Sequence, residues 1–127
     1  MKTKLLLALA LGIFFSLTGM AQKADPAEAA ANTEKGKKLL QQVIDAQANL
    51  LTIGAEMVVT GGHLVYAVCS LLEDEGRGQV ERFLDRQDGW RVCDADVTAG
   101  RIQGCGLLLT PHHDGSDGFF LARLQKL

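Results

Sequence analysis

Cys69 is the residue whose type and position could do chemistry. It follows the apolar, β-rich run His63-Leu64-Val65-Tyr66-Ala67-Val68 and precedes Ser70-Leu71-Leu72-Glu73. Such a run, after a helix, is expected to be a strand buried on both faces, as in a parallel sheet. Ser70 and Glu73 have the spacing of a capping box, so a helix is expected to begin there. Ligands of open α/β sheets bind outside the carboxyl ends of the strands. A thiol beside a helix N-terminus is also favoured as the thiolate, the nucleophilic form. Residue type alone points the other way, to a buried structural thiol. Cys93, Cys105, His112 and His113 are the remaining candidates. Their gaps of eleven and six residues lack the paired spacing of zinc modules, so no metal site is expected. A Cys93–Cys105 disulfide stays open for an exported chain.

The elements that would position Cys69 can be read from periodicity. Leu40, Ile44, Gln47, Leu51, Ala55 and Val58 recur at helical spacing within a helix from about Lys37 to Val58. Val43, Leu50 and Met57 widen the same stripe, and Gly61-Gly62 closes the segment. A helix with Val80, Phe83 and Leu84 on one side should follow Cys69. Trp90-Arg91-Val92-Cys93, Leu107-Leu108-Leu109-Thr110 and Phe119-Phe120-Leu121-Ala122-Arg123-Leu124 read as strands. Residues 94–106 read as an irregular connection, and residues 111–118 as a polar loop. Helix, strand, helix, strand, loop, strand is the closing half of an α/β sheet that ends in an antiparallel pair.

Composition bounds the rest. With 127 residues, 47% hydrophobic and 22% charged, the chain allows one core and no second domain. A formal net charge of −2 gives no sign of a generally basic nucleic-acid binder. Arg77, Arg82, Arg86, Arg91 and Arg101 alternate with acids, which suits a solvated face better than an RNA path. Lys2 and Lys4 precede an uncharged run from Leu5 to Leu17, then Gly19-Met20-Ala21. A basic start, a short apolar stretch and a small-residue exit read as a secretory signal over residues 1–21. The run is shorter than the roughly 20 residues that span a bilayer, so stable membrane insertion is not expected. Residues 22–38 read as a solvated linker or a frayed helix start, and residues 39–127 as the folded portion.

Two separated motifs carry a family resemblance. Gly61-Gly62-His63-Leu64-Val65-Tyr66-Ala67-Val68-Cys69-Ser70 followed by Leu71-Leu72-Glu73-Asp74-Glu75 resembles the strand-and-cysteine motif of the Sun-type RNA (cytosine-5) methyltransferases. His112 to Leu124, with Asp117-Gly118-Phe119-Phe120, is similar to that family's C-terminal loop and strand. The likeness runs from about Ala46 to Leu127. It implies a partial Rossmann-type methyltransferase sheet, its C-terminal half, with an N-terminal helical extension. It further implies ribosomal RNA, of the 16S class, as substrate and S-adenosylmethionine as methyl donor. Cys69 would be the nucleophile that adds to C6 of cytosine, making C5 a carbon nucleophile. A base later removes the C5 proton and the thiol is eliminated. Ser70, Asp117, Gly118 and Phe119 would border the substrate.

The same resemblance shows what this chain does not carry. The family's second cysteine follows a proline, and here Pro26 and Pro111 precede Ala27 and His112. The Gly-rich donor loop and its acidic ribose partner have no counterpart, because Gly76-Arg77-Gly78 and Gly104-Cys105-Gly106 lack the third glycine. The expectation is a chain inactive alone that needs the N-terminal half of the domain. Its compartment is contradictory, since the first residues read as exported and rRNA methylation is cytoplasmic. A junction between leader and methyltransferase near Val43–Ala46 would account for both. The alternative reading is a small exported α/β domain without enzymatic activity.

Overall fold

The computed structural model describes residues 5–10 and 26–127. Helix α1 (Pro26–Met57) is followed by strand β2 (His63–Val68), helix α2 (Arg77–Arg86) and strand β3 (Trp90–Cys93). A hairpin of β4 (Arg101–Gln103) and β5 (Gly106–Leu109) comes next. The one-turn helix α3 (Pro111–Asp114) and strand β6 (Phe119–Lys126) close the chain. Within the leader-like segment, Leu5–Ala10 forms strand β1, parallel to β2 in the register Leu5↔His63 to Ala10↔Val68. The rest of residues 1–21, including the small-residue exit, lies outside the described residues.

The sheet order is β1-β2-β6-β5-β4. β6 is its spine. One edge pairs antiparallel with β2 from Val68↔Phe120 to His63↔Gln125. The other edge takes β5 at Leu107↔Leu121 to Leu109↔Phe119 and β3 at Cys93↔Arg123 to Trp90↔Lys126. The partial α/β sheet ending in antiparallel strands is therefore the observed architecture.

Burial along β2 and β6 alternates, as the period of two along a strand requires. Leu64, Tyr66 and Val68 of β2, with Phe120, Ala122 and Leu124 of β6, are almost wholly buried. Their neighbours His63, Val65, Ala67, Leu121 and Arg123 are only half-buried. The expectation that β2 is buried on both faces therefore fails. Both described long helices pack on one face, since the core joins Leu51, Ala55 and Val58 of α1 to Val80 and Phe83 of α2.

Polar contacts fix the helices on that core. The buried Gln79 amide donates to the Ile44 carbonyl at 2.6 Å and to Gln47 Oε1 at 3.0 Å, tying α2 to α1. The Lys126 ammonium donates to the carbonyls of Ala55 and Val58 at 3.2 and 3.0 Å. Those acceptors lie at the helix end, where the Ala55 carbonyl also accepts the Val58 N–H at 3.4 Å, and α1 has no basic residue in its own last turn. Gly61, at φ +79°, turns the chain into β2, and its N–H donates to the Lys126 carbonyl at 2.8 Å. The left-handed conformation there favours glycine.

The structure decides one expectation about local structure and changes two. α1 begins at Pro26, so residues 26–38 are helix, the second of the two readings of that segment. Ala, Lys and Glu are strong helix formers, and a helix without an apolar stripe escapes a search for periodicity. α1 also runs unbroken through residues 43–46. The irregular connection contains β4, and the polar loop contains α3.

Candidate functional site around Cys69

Cys69 leaves the carboxyl end of β2 one residue beyond the pair Val68↔Phe120, level with the start of β6. Its thiol is exposed and free. A cleft of about 340 Å³ opens beside it, lined by Cys69, Ser70, Leu71, Pro111, Asp117, Gly118 and Phe119. That volume falls within the roughly 300–1,000 Å³ of small-molecule sites. The five residues singled out in the sequence, Cys69, Ser70, Asp117, Gly118 and Phe119, all border this one cleft. Leu71 and Pro111 complete its wall and carried no signal beyond being apolar near the motifs.

The helix expected at Ser70 does not form there. Ser70 Oγ accepts the N–H of Leu72 at 3.1 Å, where a capping box would take the N–H of Glu73. The Leu72 carbonyl then accepts the N–H groups of Glu75 and Gly76, and α2 starts only at Arg77. Glu73 meanwhile forms an ion pair with Arg77. Cys69 thus lies eight residues before the first residue of α2.

What holds the segment after Cys69 is Tyr66. Its ring lies in the core at 1% exposure, and its hydroxyl donates to the Glu75 carbonyl at 2.6 Å. Burial pushes the Tyr66 hydroxyl far above its ordinary range, with the nearby Glu75 carboxylate adding to the effect. The hydroxyl therefore stays protonated and remains a donor. Across the cleft, Gly118 lies so close to Leu71 that an added Cβ would come within 2.7 Å of Leu71 Cγ. The missing side chain lets the segment after β2 close against the segment before β6.

The other cysteines stand elsewhere. Cys93 and Cys105 line a separate groove of about 470 Å³ with Val97, Ile102 and Arg123, and both are free thiols. Burial pushes the Cys105 thiol up, and its Sγ lies 3.8 Å from the Arg77 carbonyl. His112 and His113 stack edge to face at 4.8 Å on α3. Among the described residues, no three His, Cys, Asp or Glu side chains gather closely enough to hold a metal ion. No described helix is long and apolar enough to cross a membrane.

The Gly-rich segments are packed against protein. A Cβ on Gly76 would lie 3.0 Å from the Phe120 ring, and one on Gly78 would lie 3.1 Å from the Glu73 carbonyl oxygen. Gly106 faces the Leu121 carbonyl and the Phe120 ring, both 2.5 Å from an added Cβ. Glycine at these places serves close packing, so neither segment fits a cradle for a nucleoside donor.

Comparison with known proteins agrees with the fold. The family model described as 16S rRNA methyltransferase RsmB/F matches residues 17–125. Ribosomal RNA small subunit methyltransferase B of Thermus thermophilus is 37% identical over 82 residues, 64% of this chain and 20% of that protein. The protein of the same name from Pectobacterium atrosepticum is 34% identical over 87 residues, 68% of this chain and 19% of that protein. The chain thus spans about a fifth of the length of the curated relatives it matches. A crystal structure of a methyltransferase homologue from Pyrococcus horikoshii superposes with a TM-score of 0.59 at 25% identity, over 66% of this chain and 31% of that one. NSun6 from the same organism, crystallised with SFG, gives 0.62 at 24% identity over 68% of this chain and 23% of that one, a likeness of fold. With a partial Rossmann-like sheet, the two motifs at one cleft and a family match over most of its length, this chain belongs to the 16S rRNA methyltransferase RsmB/F family.

Proposed function

We propose that this chain is the nucleophile-bearing part of an RNA (cytosine-5) methyltransferase acting on 16S ribosomal RNA, with Cys69 as the attacking thiol. The observation that carries the reading is the position of Cys69. It is an exposed thiol at the carboxyl end of a sheet strand, sharing a cleft with Ser70, Asp117, Gly118 and Phe119. In the proposed step the Cys69 thiolate forms a bond to C6 of a cytosine. The C5–C6 π pair moves away from C6, leaving electron density at C5. Ser70 and Asp117 offer polar groups for the ring edge, while Leu71, Pro111 and Phe119 supply an apolar wall. Gly118 lets Leu71 close against it, joining the two segments that form the cleft.

S-adenosylmethionine is the methyl donor this reading implies, but the described glycines do not fit it. We therefore assign the chain only the thiol addition. In this reading the donor is held by strands outside the described residues, and this chain alone is expected to be inactive.

Differential alkylation tests the reading. Iodoacetamide should label Cys69 before Cys93 and Cys105, and a cytosine-containing single-stranded RNA should slow labelling of Cys69 alone. Equal protection of all three thiols, or none, would overturn the assignment. Calorimetry with S-adenosylmethionine should give no heat of binding, and micromolar affinity would overturn the donor assignment.

A further inference from the structure

α1 carries two apolar stripes, and the core uses one. Gln47, Leu51, Ala55 and Val58 are buried, with Leu40 and Ile44 half-buried beside them. The second stripe is Leu39, Val43, Ala46, Leu50, Ile53 and Met57, at intervals of four, three, four, three and four. That is the spacing of a coiled-coil seam. Val43, Leu50 and Met57, which the periodicity assigns to the core-facing stripe, belong here instead. Leu39 is 52% exposed, Leu50 45%, Ile53 55% and Met57 63%. A helix side that only meets water is polar.

The seam is self-complementary when two copies run antiparallel. Leu39 then faces Met57, Val43 faces Ile53, and the small Ala46 faces the large Leu50. Charge favours the same orientation. Lys35, Lys37 and Lys38 precede the stripe, whereas residues 39–57 contain Asp45 and Glu56 and no base. Antiparallel pairing sets Glu56 of one copy level with residue 40 of the other, within a turn of Lys38, while Lys37 already pairs with Glu34 of its own helix. Parallel pairing would set lysines against lysines. The helix dipoles also oppose each other in the antiparallel arrangement.

We propose that this stripe is a self-association surface, at which α1 pairs antiparallel with α1 of a second copy of the chain. The inference does not depend on the chemistry at Cys69. Sedimentation equilibrium of the full chain should give twice the chain mass as concentration rises. The double variant Leu50→Lys/Ile53→Lys should return to the single-chain mass with an unchanged circular dichroism spectrum, because both positions already face solvent. Orientation is read with Asn49→Cys in a chain whose native cysteines are serine. Residue 49 flanks the seam on the side where it meets its own counterpart only in the antiparallel pair, so mild oxidation should yield a covalent dimer. A single-chain mass at every concentration would overturn the proposal, and would show that the stripe is covered within one chain or by a different protein. A dimer that survives the double variant, or one that Asn49→Cys does not cross-link, would overturn it as well.

Discussion

Tyr66→Phe removes one oxygen atom from the centre of the account. The ring is 1% exposed and belongs to the core cluster, so phenylalanine keeps the core packing while the Glu75 carbonyl loses its 2.6 Å donor. Leaving a buried acceptor unsatisfied costs about 1–3 kcal/mol, against a few tenths returned by the more apolar ring. Urea unfolding followed by Trp90 fluorescence should therefore show a midpoint lowered by that free energy divided by the slope, with an unchanged dependence on denaturant. pH supplies an independent check. Burial raises the folded-state pKa of Tyr66 above its ordinary value of 10.0. The stability linked to this group is thus complete below that value and is lost as pH rises beyond it through the folded pKa. Wild type should lose stability on that alkaline side relative to Tyr66→Phe, so the gap between the two narrows. A difference below about 0.5 kcal/mol at neutral pH, together with parallel alkaline profiles, would refute the claim that this hydroxyl anchors the segment after Cys69.

Other expectations follow from the same contacts. Gly106→Ala drives a Cβ to 2.5 Å from the Leu121 carbonyl and the Phe120 ring, and should destabilise by about 1–3 kcal/mol in denaturant titration. Gly36→Ala, with open space around it on exposed helix, should instead stabilise by about 0.5–1 kcal/mol. Lys126→Met removes the cap on the Ala55 and Val58 carbonyls and the cation 5.7 Å from the Trp90 ring centroid. It should cost about 1 kcal/mol and increase amide exchange in the last turn of α1. The Asp114 carboxylate accepts the N–H of Thr110 at 2.7 Å and of Gly100 at 2.9 Å, and the bond from Thr110 leads the effects that hold its pKa below the ordinary carboxylate range. A depressed folded pKa means that this contribution is present above the unfolded value and is lost as pH falls through the folded one. Exchange protection at Thr110 and Gly100 should decline at acid pH, and Asp114→Asn should remove that pH dependence.

Much of this was legible because β2, the core-facing side of α1 and β6 carry dense apolar signals with clear periods. The cleft was legible for another reason, since its residues sit in two motifs whose spacing needs no geometry to read. What escaped is equally physical. β4 is a three-residue edge strand whose Ile102 is 86% exposed, so its hydrophobicity reports no core. Ser70 and Glu73 have the right spacing for a cap, but the turn through Glu75 and Gly76 takes up the backbone first. Nothing in the types of Val43, Leu50 and Met57 distinguishes a residue that meets the sheet from one that faces outward on the same helix. That distinction depends on which side of α1 the sheet occupies.

The most direct test of the central claim is the mass of an adduct. The full chain would be incubated with a short single-stranded RNA whose cytosines carry an electron-withdrawing 5-bromo group, then analysed intact and after digestion. Addition of the Cys69 S–H across C5–C6 predicts a species at the summed mass of protein and RNA, mapped to Cys69 and lost in Cys69→Ser. No adduct, or one shared equally with Cys93 and Cys105, would contradict Cys69 as the nucleophile.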